Sequence, residues 1–462
     1  MLLTVFAVRA FDAWRSPPLE SWHREVPPEL DAAAIDAADW AAWMKAEDDA
    51  IAEVRTRVTA KLPAKDRVFA NRFYADSPMN PARLAKDWNR TQVAIPEGAL
   101  RGAVVLLHGL TDSPYSLRHV AEIYRARGFV AVSIRLPGHG TVPAGLTRVE
   151  WQDWAAATRL AVRHARELAK DGPLHLVGYS NGGALALKYA LDALEDSRLA
   201  RPDRIVLISP MVGITSFARF AGVLGWPAVF PPFAKAAWLD ILPEYNPVKY
   251  NSFPVNAARQ SSLLTRELQA QLARLADGGK LAALAPVLTF QSAIDYTVDA
   301  RALISTLYAR LPANGSELVL FDRNHQAQAS ALVKPAIAAA VDSLLPPTPR
   351  NYRTVVLTND AAGGPMRELL TAPGETAAAT RDLPLLYPPD VYSLSHVALP
   401  FPVTDGLYGT QPDPRENFGV QLGTVAVRGE RTVLIVSPDA LMRMTANPFF
   451  SYLGERIAAT LP

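Results

Sequence analysis

One serine stands in Gly178-Tyr179-Ser180-Asn181-Gly182-Gly183, behind the apolar run Leu174-His175-Leu176-Val177 and ahead of an Ala/Leu-rich stretch. A strand that turns through G-x-S-x-G directly into a helix lifts the serine hydroxyl out of the fold as a nucleophile. So tight a turn predicts a strained backbone at Ser180, and only residues without a Cβ at 178 and 182 let strand and helix approach each other. Both positions are glycine. The five letters alone recur by chance in many chains; the strand before and the helix after give them meaning.

Such a serine needs a base, an orienting acid and an oxyanion hole. Asp295 closes Val287-Leu288-Thr289-Phe290-Gln291-Ser292-Ala293-Ile294-Asp295, at the C-terminal end of a later strand, where ligands of open α/β sheets collect. The alternative is a loop aspartate satisfying backbone donors. Asp299 suits the cap of the following helix. For the oxyanion hole, Asn181 supplies the amide after the nucleophile. Leu110 supplies the second, with Gly109 permitting a bend in Leu106-Leu107-His108-Gly109-Leu110-Thr111-Asp112. The start of a helix at Asn181 adds positive potential there.

Of eight histidines, His325 and His396 lie downstream of Asp295. His325 follows the strand Leu318–Phe321 at once, the position expected of a triad histidine, yet a polar helix start explains it equally. His396 stands in Ser393-Leu394-Ser395-His396-Val397-Ala398-Leu399-Pro400, a setting that suits an imidazole held at a cleft. The residues alone leave both open. His108 and His139 read as loop-stabilising imidazoles, and His23, His119, His164 and His175 as structural ones. No H-E-x-x-H, C-x-x-C, G-x-x-x-x-G-K-S/T or G-x-G-x-x-G after a strand occurs, so no metal, nucleotide or other cofactor is expected.

The elements that must position these groups alternate. Apolar runs at Val104–Leu107, Phe129–Ile134, His175–Val177, Ile205–Ile208, Val287–Phe290 and Leu318–Phe321 are separated by amphipathic helical stretches. That is an α/β pattern, a doubly wound and mostly parallel sheet with both faces covered. A helical stretch from Asp31 to Leu62, with Trp40, Trp43, Ile51 and Val54 as its apolar stripe, precedes it. We expect an N-terminal helical extension (1–75), a core (76–212 and 285–345), an inserted cap (213–284) and a C-terminal extension packed on the core (346–462). The cap is rich in rings: Phe217, Phe220, Trp226, Phe230, Phe233, Trp238, Tyr245, Tyr250 and Phe253. Most should pack its own small core; Trp226, Phe230 and Trp238, with Tyr179 beside the nucleophile, are expected to face substrate. Beyond the boundary Pro346-Pro347-Thr348-Pro349, Thr354–Thr358 reads as a strand, Thr424–Arg428 with Arg431–Ser437 as a hairpin, and Asn447–Leu461 as a capped helix.

Lys plus Arg (47) nearly balances Asp plus Glu (45), so no global field recruits nucleic acid, and a small-molecule substrate is expected. Absence of cysteine excludes thiolate chemistry and disulfides without choosing a compartment. The apolar run from Met1 to Arg9 is too short for a bilayer, which takes about 20 residues. It reads either as a buried segment or as the stub of a signal or anchor, leaving cytoplasm, periplasm and association with a membrane surface all open, as is the oligomeric state.

His108-Gly109-Leu110-Thr111-Asp112-Ser113-Pro114, Arg135-Leu136-Pro137-Gly138-His139-Gly140, Gly178-Tyr179-Ser180-Asn181-Gly182-Gly183 and Phe290-Gln291-Ser292-Ala293-Ile294-Asp295, in that order, resemble the α/β-hydrolase superfamily. Within it the chain is similar to bacterial monoacylglycerol-lipase-like and lysophospholipase-like serine esterases, the serine-aminopeptidase-type branch. The likeness covers about Asp87 to Asp322. The terminal extras resemble a longer group of bacterial α/β hydrolases in which the stretch written here as Ser393 to Pro402 is prominent, and that resemblance implies His396 rather than His325 as the base. It implies a serine carboxylester hydrolase acting on an apolar acyl or aromatic ester, such as a monoacylglycerol or a lysophospholipid. Two other classes compete. An amidase or proline-type aminopeptidase would need a negative subsite, for which Asp240 and Glu244 are candidates; the third is a non-catalytic binding protein on a hydrolase fold.

Overall fold

The computed structural model describes residues 15–213, 231–426 and 434–462. Twelve strands are present there: β1 (Gln92–Ala94), β2 (Gly102–Leu107), β3 (Phe129–Ser133), β4 (Leu174–Tyr179), β5 (Arg204–Ile208), β6 (Trp238–Asp240), β7 (Phe253–Pro254), β8 (Val287–Ser292), β9 (Glu317–Phe321), β10 (Arg353–Thr358), β11 (Pro365–Thr371) and β12 (Ala379–Leu386). Ten form one sheet in the order β1-β3-β2-β4-β5-β8-β9-β10-β11-β12. From β3 to β10 every neighbouring pair is parallel, while β1, β11 and β12 pair antiparallel at the two ends.

Alternate residues of each central strand enter opposite cores. Ala103, Val105 and Leu107 of β2, with Ile205 and Leu207 of β5, face the helices Trp151–Leu168, Asn181–Glu195 and Val255–Asp277. Val104, Leu106, Val206 and Ile208 face the side that also buries Val120, Tyr124, Phe449 and Leu453 of the helical segments Arg118–Arg125 and Phe450–Ala458 and their approach. This two-sided burial is why the strands read as continuous apolar runs.

The helix Val255–Asp277 corrects the expected cap. Its Leu264, Leu268, Leu272 and Leu275 repeat at helical spacing and lie in the main core, so this part of 213–284 is a layer of the core. Removing one such leucine side chain costs about 2–5 kcal/mol. The short antiparallel pair β6 and β7 precedes it. Phe217, Phe220, Trp226 and Phe230 lie outside the described residues, as does the Met1 to Arg9 run.

The helical stretch predicted from Asp31 is two helices. Asp31 caps Ala32–Ala37 by accepting from the Ala34 amide at 2.8 Å, and Asp39 caps Trp40–Arg57 by accepting from Ala42 at 2.7 Å. Extended backbone at Ala38 and at the cap residue Asp39 breaks the run. Ile35 and Trp43 are buried in the main core. Glu29 and Glu47 from this region grip the buried Arg135: Nη1 and Nη2 donate to Glu29 at 2.7 and 3.0 Å, and Nε to Glu47 at 3.1 Å.

At the other end, β10 to β12 lengthen the sheet by three strands. Asp405 pins the following segment from a fully buried position, accepting from the Tyr115 hydroxyl at 2.8 Å and Arg118 Nη2 at 2.9 Å, and facing His119 Nε2 at 2.8 Å. Of the hairpin expected over 424–437, residues 427–433 lie outside the described residues; the described parts, 424–426 and 434–437, form no strand, and Leu422–Thr424 is a 3-10 turn. Among the described residues no helix is long and apolar enough to cross a membrane.

Candidate active site

Ser180 occupies the turn between β4 and the helix Asn181–Glu195 with φ 54° and ψ −118°, a region that side chains rarely adopt. The surroundings hold it there. Its amide donates to Ile208 O at 3.0 Å, and its carbonyl accepts from Gly183 and Met211, both at 2.9 Å. A Cβ at 178 would stand 2.3 Å from Gly182 O, and one at 182 would stand 1.9 Å from Leu107 O. The two glycines are demanded by close approach.

Gly109 plays a different part from the one expected. Its φ is not in the left-handed region; the residue that turns the loop is Thr111, at φ 63°. A Cβ at 109 would lie 3.2 Å from Ser180 Cβ, so this glycine makes room beside the serine. His108 holds the same loop. Leu136 N donates to its Nε2 at 3.0 Å, which leaves Nδ1 as the donor to Gly109 O at 2.9 Å. Burial lowers its pKa to about 4, so the ring stays neutral.

Ser180, His396, Leu110 and Tyr179 line one cavity of about 370 Å³. His396 is buried at its edge. Its Nδ1 faces Asp295 Oδ2 at 2.9 Å, its ring packs on Tyr179 with centroids 5.3 Å apart, and its carbonyl accepts from the Tyr179 hydroxyl at 3.4 Å. Asp295 is saturated with donors. Its Oδ1 accepts from the amides of Thr297 and Val298 at 2.8 and 3.0 Å, and its Oδ2 also accepts from Gln291 Nε2 at 3.1 Å. Burial pushes this carboxyl up, but the facing His396 and the amides outweigh it and hold it below the usual carboxylate range.

The other expected residues are dispersed. His325 Nε2 faces Asp322 Oδ2 at 2.9 Å, and that oxygen also accepts from Thr358 at 2.8 Å; His325 does not line the Ser180 cavity. Asn181 opens its helix, where the first amides have no acceptor within the helix. Trp238 is a correction: it is buried, edge-on to His23 at 4.8 Å, and does not line the cavity. Trp226 and Phe230 lie outside the described residues. Of the two acids considered for an ammonium subsite, Asp240 lines the cavity, whereas buried Glu244 spends its oxygens on the amides of Asn251 and Ser252 at 3.0 and 2.8 Å.

Sequence reasoning missed Gln291, whose four-residue offset from Asp295 at a strand end was the available signal. It also gave no role to Asp112, which lines the cavity and whose carboxyl burial pushes up to about 6.

The family model described as serine aminopeptidase, S33, matches residues 98–325. Over 198 residues the chain is 28% identical to the thermostable monoacylglycerol lipase of Bacillus sp. (strain H-257), covering 42% of this chain and 71% of that protein. Similar solved structures include a metagenome-derived lipolytic enzyme, at 23% identity over 51% of this chain and 88% of that one with a TM-score of 0.40. The monoacylglycerol lipase of Paleococcus ferrophilus matches at 18% identity over 55% and 97%, with a TM-score of 0.37. The fold is that of the α/β hydrolases, and residues 98–325 are similar to the serine aminopeptidase family and to monoacylglycerol lipases.

Proposed function

We propose that this protein is a serine carboxylester hydrolase working through an acyl-enzyme, with Ser180 as nucleophile, His396 as general base and Asp295 as the acid that orients it. The observation that carries the reading is the Asp295 to His396 contact of 2.9 Å on the cavity that also exposes the strained Ser180. His396 Nε2 takes the Ser180 proton as Oγ bonds to the ester carbonyl carbon. The amides of Leu110 and Asn181 stabilise the oxyanion, and the alcohol departs with the proton from the imidazolium. Water then repeats the sequence, releasing the acid and restoring the serine. Loss of one oxyanion donor costs about 3 kcal/mol in such sites.

An ester with an apolar acyl or aromatic part, of the monoacylglycerol or lysophospholipid kind, fits a wall that includes Tyr179, Met211, Tyr245 and Phe253. Asp240 on the same wall keeps an amidase or aminopeptidase reading in play; an aminoacyl amide against an alkyl ester of equal size separates the two. The reading itself is tested by a fluorophosphonate probe. Wild-type protein should be labelled and should hydrolyse p-nitrophenyl butyrate, and Ser180→Ala should do neither while keeping its circular dichroism. Wild-type turnover in Ser180→Ala would sink the assignment, and an unlabelled wild-type protein would favour a non-catalytic binding role.

A further inference from the structure

Two cations line the cavity that holds Ser180 and His396: Lys249, from the segment between β5 and β8, and Arg443, from the C-terminal region. Both are half-buried. Among the described residues neither forms an ion pair. The guanidinium of Arg443 donates to the neutral hydroxyl of Thr297, and the ammonium of Lys249 makes no hydrogen bond there. They are near enough to repel. Burial first, and then Arg443, draw the Lys249 ammonium below its ordinary range despite the opposing charge of Asp112.

Of the acids on the same wall, Asp112 attracts Lys249, while Arg443 has no carboxylate partner among the described residues. Asp112 is buried, and its Oδ1 is engaged by the Ser113 amide at 2.9 Å. Asp240 is exposed. Charge withdrawn from water is costly unless it is balanced, and one buried carboxylate beside two cations leaves a positive charge that a ligand can balance. A guanidinium fork beside a compact ammonium suits an oxyanion, phosphate or carboxylate alike.

We propose that Lys249 and Arg443 form an anion subsite, so that the preferred ester carries a phosphate or carboxylate near the bond that is broken. This rests on the serine-hydrolase reading above. The group sits either on the alcohol side, as in a phosphorylated glycerol ester, or on the acyl side, as in the hemi-ester of a dicarboxylic acid.

Three esters of the full chain's substrate type decide it: monobutyrylglycerol, its phosphate monoester, and monosuccinylglycerol. At least one anionic ester should exceed the neutral one in kcat/KM by about tenfold or more, since a charge-assisted contact is worth about that factor. Which one does so identifies the side. The ratio should fall by about tenfold in Lys249→Met and in Arg443→Met, and survive in Lys249→Arg. If Arg443→Met does not fold, because Arg443 also holds Thr297, the wild-type ratio and Lys249→Met decide alone. A neutral ester turned over as well as both anionic ones, or a ratio indifferent to Lys249→Met, overturns the subsite. Failure of the hydrolase reading looks different: none of the three esters is cleaved and the fluorophosphonate does not label.

Discussion

His396 Nδ1 meets Asp295 Oδ2 at 2.9 Å across 101 residues of sequence, so the strand end β8 and a segment beyond the last strand of the sheet are joined at one carboxylate. If this pair drives the chemistry, His396→Ala should lower kcat/KM on a short ester by about 10³ to 10⁴, because members of such a triad act as a unit. His325→Ala should stay within about tenfold of wild type, since it breaks a contact with Asp322 away from the cavity. Parallel steady-state kinetics check both, and the opposite ranking would move the base to β9.

Gln291 shares Asp295 Oδ2 with His396. Gln291→Leu removes a donor that fixes the carboxylate, and should reduce kcat by about tenfold with little change in KM, as expected when only orientation is lost. Gln291→Glu should be worse, for it sets two carboxylates against each other. A change confined to KM would show that Gln291 acts elsewhere.

At Gly182 the obstacle is backbone, 1.9 Å from an added Cβ. Gly182→Ala should therefore cost several kcal/mol, roughly the upper range of strain and overpacking effects, and urea midpoints should register it. Gly109→Ala, whose nearest neighbour lies 3.2 Å away at Ser180 Cβ, should leave stability largely intact and impair activity instead.

Glu47 is fully buried and accepts from Arg135 Nε at 3.1 Å and from the Thr91 hydroxyl at 2.8 Å. Glu47→Ala leaves the buried guanidinium with Glu29 alone and its Nε without that acceptor, at a cost of about 1–3 kcal/mol. Denaturant unfolding should show it, and a loss under about 1 kcal/mol would mean that Glu29 alone satisfies Arg135.

Acid lability follows from the neutral histidines. Burial, with Arg204 nearby, lowers His175 to about 3 from 6.5. The folded state then binds fewer protons than the unfolded one between those values. Stability is complete above 6.5 and drains away as pH falls towards 3, by about 2 kcal/mol at pH 5. His23 and His108, each lowered to about 4, act in the same sense. Asp112, raised to about 6, acts in the opposite one, favouring the folded state as pH falls from 6 to its unfolded value, and offsets part of the loss. Tm should drop between pH 7 and pH 5, less steeply in His175→Phe.

The central sheet was legible because β2, β3, β4, β5, β8 and β9 are buried on both faces and read mostly as apolar runs. The edge was not. β11 and β12 carry Pro365, Arg367, Glu368, Arg381 and Asp382, all but the buried Glu368 at least partly exposed, and nothing in their composition announces pairing with β10. The tight turn at Ser180 was readable because glycine at 178 and 182 is dictated by backbone contact. The role of Gly109 was misread because a glycine required for space and one required for a left-handed turn look the same in sequence. The Arg135 clamp joins residues far apart in the chain, and no local pattern encodes it.

The order of the chain has a consequence for synthesis. A ribosome finishes Ser180, Asp295 and every parallel strand before it reaches His396, so a nascent protein would carry a shaped but unarmed pocket until its final segment docks. With His396 as the proposed base, ester cleavage during translation would be withheld, and stalled chains ending before His396 should fail to react with a fluorophosphonate that labels the finished protein.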